Sequence, residues 1–116
     1  MMRKAMTVME ILVAARALIG VREHWCIGTL AETKLGRHTD PCSPAARSWC
    51  AVGALTKVTP VRHGAERLAA EELLDAAAEG LFGRSAASVN DYLGYAYVMQ
   101  IYEAAIAAAH KLEDAQ

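Results

Sequence analysis

From Ala45 to Leu55 the chain carries only two polar residues, Arg47 and Ser48. A helix that is apolar almost all round has no face to give to water, so the rest of the fold must enclose it. Ser43-Pro44, just upstream, reads as a helix start. A serine oxygen caps free amides, and proline at the first helical position misses no amide donor. The pattern predicts a helix from Pro44 to about Lys57 at the centre of the domain. Gly53, inside it, costs about 1 kcal/mol of helix propensity against alanine, and close approach of another backbone is the natural return.

Other helices are predicted around this one. Thr7 and Glu10 have capping-box spacing, with Met6 and Ile11 placed as a hydrophobic staple, so a first helix begins at Val8 and stops at Gly20. Its stripe is Val8, Ile11, Leu12, Ala15, Leu18 and Ile19. From Val21 to Cys42 the periodicity lapses and Gly28, Gly36, Asp40 and Pro41 mark turns, with a short hairpin around Lys34 to Thr39. Thr59-Pro60 breaks the chain, and a third helix follows from about Gly64 to Glu79, with Ala65, Leu68, Ala69, Leu73, Ala76 and Ala77 inward and Gly80 and Gly83 ending it. Ser88 or Asn90 is placed to cap a last helix whose inward stripe is Val98, Ile101, Tyr102, Ala105, Ala109 and Leu112, and whose end, Glu113 to Gln116, should fray. The fold class expected is mainly α: a compact four-helix single domain, residues 1–116, with a central apolar helix and an irregular or hairpin segment between the first two helices.

Twelve basic residues against 13 acidic ones leave a net charge of −1, which supplies no bulk field for nucleic acid or an anionic membrane. The three cysteines, Cys26, Cys42 and Cys50, are odd in number and lack zinc-finger or thioredoxin-like spacing, so reduced thiols and a cytoplasmic location are expected. The start, Met1-Met2-Arg3-Lys4, has a superficial likeness to a signal peptide, but Glu10 and Arg16 interrupt the apolar stretch that follows. No apolar run approaches the roughly 20 residues that cross a bilayer.

Two Trp-Cys pairs stand out, Trp25-Cys26-Ile27-Gly28 and Trp49-Cys50-Ala51-Val52-Gly53-Ala54. Together with Val89-Asn90-Asp91 and a closing helix through Glu103-Ala104-Ala105-Ile106, they resemble a family of small uncharacterised proteins of bacteriophages and bacterial genomes. The resemblance implies equivalent places for Trp25, Gly28, Trp49, Cys50, Gly53, Ala54, Asn90 and Asp91, and a phage or prophage setting, but no activity. Where that family tends to carry Thr or His before the last helix, this chain has Leu93-Gly94-Tyr95-Ala96-Tyr97.

Several residues are candidates for chemistry. Trp25 and Trp49 either fill gaps beside close-packed backbone or stack on a flat ligand such as a nucleobase, with Asn90 and Asp91 converging on it. The plainer role of Asn90-Asp91 is a turn and helix cap. Cys50 is a candidate nucleophile of a thiol hydrolase or transferase, with His24 or His63 as base, although a position one and a half turns into an apolar helix would suppress its thiolate. Cys26, His38, Cys42 and Cys50 are ligand types zinc prefers, yet their spacing is loose and no metal or cofactor is assigned. Arg62, His63 and Arg67 lie among Glu66, Glu71 and Glu72 and read as a solvated face. All four tyrosines fall between Tyr92 and Tyr102; on one helix Tyr92, Tyr95 and Tyr102 share a side and Tyr97 looks elsewhere. That stretch is the expected contact surface of a non-catalytic interaction module, with Tyr92, Tyr95 and Tyr97 meeting a protein partner or a second copy.

Overall fold

Three helices make the frame of the computed structural model, which describes residues 6–115. Met1-Met2-Arg3-Lys4 and Gln116, both considered above, lie outside the described residues. Helix α1 runs Val8–Leu18, and its capping box is formed: the Thr7 side chain accepts from the Glu10 amide at 3.1 Å and the Glu10 carboxylate accepts from the Thr7 amide at 2.8 Å. A strand β1, Ala31–Thr33, follows the irregular segment and pairs antiparallel with β2, Ala46–Trp49. Helix α2, Ala51–Val58, comes next, then α3, Gly64–Phe82, the single turn α4, Ala86–Ser88, and α5, Tyr95–Asp114. One turn of π-helix, Val89–Leu93, joins α4 to α5.

The core is the meeting of α1, α3 and α5, with α2 against α1 and α3. Helix α1 supplies Ile11, Leu12 and Ala15, α3 supplies Ala70, Leu74 and Ala78, and α5 supplies Val98, Ile101, Tyr102, Ala105 and Ala109. Alanines on the buried faces of α3 (Ala70, Ala78) and α5 (Ala105, Ala109) let these helices lie close together, so burial is spread over many modest side chains.

The predicted four-helix layout is corrected in several places. Residues from Pro44 onward do not start a helix: Ser43 Oγ does accept from the Ala45 amide at 3.1 Å, but in a turn, and Ala46–Trp49 is a strand. Trp49 is paired on both sides, antiparallel to Ala31 and parallel to Trp25, so β2 is enclosed by backbone partners and needs no helix to satisfy its polar groups. A short apolar run fits a buried strand as well as a buried helix, and periodicity does not separate the two. The central rod is thus replaced by a strand followed by the short helix α2.

The hairpin between Lys34 and Thr39 forms, with Gly36 at φ 79 and a bridge from Glu32 to His38. Helix α3 passes through Gly80 and ends at Gly83, which takes φ 69 as a left-handed cap. Leu68 and Leu112, placed inward by periodicity, are 53% and 56% exposed. Ser85 caps α4, whereas Asn90 is buried and does not cap the last helix; α5 starts after Gly94, whose φ of 112 breaks the chain direction, and stays helical through Glu113 and Asp114.

Candidate functional site

The π-turn brings Asn90 into the middle of the molecule, fully buried, where every polar atom of its amide is used. Its Oδ1 accepts from Trp25 Nε1 at 2.6 Å and from the Ala51 amide at 2.9 Å. Its Nδ2 donates to the Cys26 carbonyl at 3.1 Å and to Asp91 Oδ1 at 3.0 Å. Asp91 Oδ1 also accepts from the Gly28 amide at 3.0 Å. One side chain thereby clasps the Trp25–Gly28 segment, the first residue of α2 and the π-turn. The expectation of a turn and cap for Asn90-Asp91 gives way to this clasp. Tyr102, also fully buried, donates to the Ala51 carbonyl at 2.5 Å and closes the other side of the α2 start.

Both tryptophans have their N–H groups bonded inward. Trp49 is 7% exposed and donates to the Pro41 carbonyl at 2.8 Å, with Lys57 Nζ 5.8 Å from its ring centroid. Trp25 is half-buried, and its ring stands edge-on to Tyr95 with centroids 5.5 Å apart. Arg22 covers the Tyr95 ring at 5.5 Å, and the Tyr95 hydroxyl donates to the Ile19 carbonyl at 2.8 Å. Trp25, Asn90, Asp91 and Tyr95 are therefore neighbours; Trp49 joins them only through its backbone bridge to Trp25.

Cys50 is not inside a helix but is the N-cap of α2, and its sulfur accepts from the Gly53 amide at 3.2 Å. A helix N-terminus favours a thiolate. Burial opposes it and wins: desolvation raises the Cys50 thiol above its ordinary range, with the Gly53 amide working the other way. Cys26 is pushed up to about 11, by desolvation first, with Ser48 lowering it and Glu32, Cys50 and Asp91 raising it. Both thiols are protonated at neutral pH. The proposed bases are elsewhere: His24 Nδ1 is 3.3 Å from the Leu18 carbonyl, and His63 faces Glu66 at 3.7 Å. Among the described residues neither histidine is hydrogen-bonded to Cys50, so the geometry assembles no nucleophile–base pair. Cys42 is exposed, with its sulfur 3.7 Å from the Thr56 carbonyl, and His38 sits in the hairpin. Among the described residues, no three histidine, cysteine or acidic side chains converge as a metal site. Arg67 pairs with Glu71 at 3.2 Å, both side chains partly exposed.

The tyrosines divide differently from the single-helix expectation, because Gly94 breaks the chain between Tyr92 and Tyr95. Tyr92 is 79% exposed, Tyr97 lies edge-on to Phe82 at 5.3 Å, and Tyr102 is in the core. Periodicity did not reveal an apolar groove of about 650 Å³ lined by Thr7, Val8, Ala69, Leu73, Ala109 and Leu112, with Glu72 and Glu113 at its rim. Its signal in the sequence is the outer members of three apolar stripes, Val8, Ala69, Leu73, Ala109 and Leu112.

Over residues 3–108 the chain matches a family of unknown function, DUF6197. It belongs to that family. No curated protein and no solved structure matches it. Trp25, Gly28, Trp49, Cys50, Gly53, Asn90 and Asp91, which carried the resemblance, surround the start of α2, where Gly53 packs against the Leu30 carbonyl so tightly that a β-carbon would overlap it. The close approach expected at Gly53 is thus present. Among the described residues no helix is long and apolar enough to cross a membrane.

Proposed function

We propose that the chain is a small non-catalytic protein-interaction module whose contact surface is centred on Tyr92 and Ile27. The supporting observation is the bond from the Gly28 amide to Asp91. It holds the turn bearing Ile27, 50% exposed, against the turn bearing Tyr92, 79% exposed, so two large apolar groups stand outside a rigid clasp. Rigid aromatic groups with a polar tip are favoured at protein contacts, because little side-chain freedom is lost on binding. The clasp itself has no spare polar atom on Asn90 for a ligand, which favours support over ligand binding at that side chain. This reading keeps Tyr92 from the predicted surface, gives Tyr95 and Tyr97 flanking roles and removes Tyr102.

The partner to test first is a second copy of the chain. The free thiols support a reducing, cytoplasmic compartment, and the resemblance supports a phage or prophage setting. Sedimentation velocity over a concentration series should show a species larger than the monomer, and Tyr92→Ala should weaken that association at least about tenfold. A wild-type chain that sediments as a monomer throughout, with no cross-link to any protein from a photoreactive group at position 92, defeats the proposal.

A further inference from the structure

A contact surface at Tyr92 leaves the two Trp-Cys dipeptides without a role. The structure sets them side by side: Trp25 bridges Trp49 in parallel, and the Cys26 amide donates to the Trp49 carbonyl at 3.2 Å. The residue after each tryptophan is a cysteine, so two thiols leave adjacent backbones. Trp25 and Cys50 both have extended backbone, and side chains alternate along extended chain, which sends both sulfurs to the face away from the tryptophans. Ser48, two residues before Cys50 on that face, is close enough to the Cys26 thiol to favour its thiolate. Each cysteine is 7% exposed, and neither is bonded to another sulfur. The turn from Ile27 to Leu30 covers them, with the Thr29 carbonyl 3.8 Å from Cys26 Sγ and Asp91 holding Gly28 in place.

We propose that Cys26 and Cys50 are a reversible dithiol–disulfide couple, oxidised by exchange with a small-molecule disulfide such as glutathione disulfide. Cys50 reacts first, because the Gly53 amide at the start of α2 favours its thiolate. Its sulfur attacks one sulfur of the small disulfide, forming a mixed disulfide and releasing one small thiol. The Cys26 sulfur then attacks the Cys50 sulfur and displaces the second small thiol. Two electrons pass from the cysteine pair to the small disulfide, and the two cysteine protons end on the two released thiols. Closing the bond draws Cys50 Sγ off the Gly53 amide and pulls on the covering turn. Glu32 and Asp91 disfavour the Cys26 thiolate, Asp91 disfavours that of Cys50, and the buried Tyr102 phenol interacts with Cys50, its ionisation opposed by a Cys50 thiolate; burial disfavours both thiolates. Exchange is therefore slow at neutral pH and accelerates about tenfold per pH unit toward pH 9.

The test uses the full chain, folded, treated with glutathione disulfide, quenched in acid, unfolded and alkylated with N-ethylmaleimide. Intact mass should show one label where the reduced chain, with three cysteines, takes three. Peptide mapping should find Cys26 joined to Cys50, and dithiothreitol should restore all labels. Cys42→Ser, at an exposed position, should form the same link, while Cys26→Ser and Cys50→Ser should form none. Full labelling of the treated wild type, a link through Cys42, or a Cys26–Cys50 link that forms only in denaturant would overturn the proposal.

Discussion

Gly53 and Gly80 both lie inside α-helices, yet one added methyl group has opposite consequences at the two positions. At Gly53, near the start of α2, a β-carbon runs into the backbone of Leu30; at Gly80, on the exposed side of α3, it meets nothing within 4 Å. The first belongs to a region assembled from individual atoms, where Asn90, Trp25, Cys26 and Ala51 are fixed by directed hydrogen bonds. The second belongs to a region assembled by area, where α1, α3 and α5 pack small apolar side chains. Directed contacts fail when one atom is moved; area is lost only in proportion to what is removed.

The sharpest way to break this contrast is Gly53→Ala, expected to cost about 3 kcal/mol or more, since the obstructing group is backbone. A urea melt close to wild type would show that Leu30 can retreat. Asn90→Ala is expected to cost roughly 2–3 kcal/mol, because it leaves the Trp25 indole N–H and the Ala51 amide without their acceptor. An effect below about 1 kcal/mol in the same melt would mean that water replaces the side chain.

Alkaline pH probes the same region without a mutation. A thiol raised by folding stabilises the protein below its unfolded value and loses that contribution as pH climbs to its folded value. The melting temperature should therefore hold up to about pH 9 and fall toward pH 11, the interval between the ordinary value of 9.0 and the value of about 11 for Cys26. Tyr102, raised well above 10.0 by burial, acts in the same direction. Cys26→Ser should flatten part of the decline. The smallest effect expected is Gly80→Ala, a stabilisation of about 0.5–1 kcal/mol from helix propensity alone, seen as a raised melting temperature.

The parts of this structure legible in the sequence were those decided locally. The capping box at Thr7 and Glu10 spans one turn, and the close approach at Gly53 is advertised by a glycine in a helical pattern. Ala46 to Trp49 was not legible as a strand, because its partners, Ala31 and Trp25, lie in a segment without periodicity. With the strand went the position of Cys50, which moved from a helix interior to a helix start. The sequence singles out Asn90 and Asp91 as a turn and cap or as residues converging with a tryptophan on a ligand, but not as a clasp, because the groups that bond the Asn90 amide come from residues 39, 64 and 65 positions away. Leu68 and Leu112 kept helical spacing and still face out, since the stripe they extend is wider than the surface it covers.

Those long separations bear on the order of folding. Helix formation and the docking of α3 on α5 need only short loops, whereas Asn90 must find a segment more than half the chain away, after the entropy of a long loop has been lost. The clasp is then expected to close late, so that Asn90→Ala should quicken unfolding while leaving the refolding rate nearly unchanged in stopped-flow measurements. Asn90 in that case governs how long the native state lasts, and hardly at all how fast it is reached.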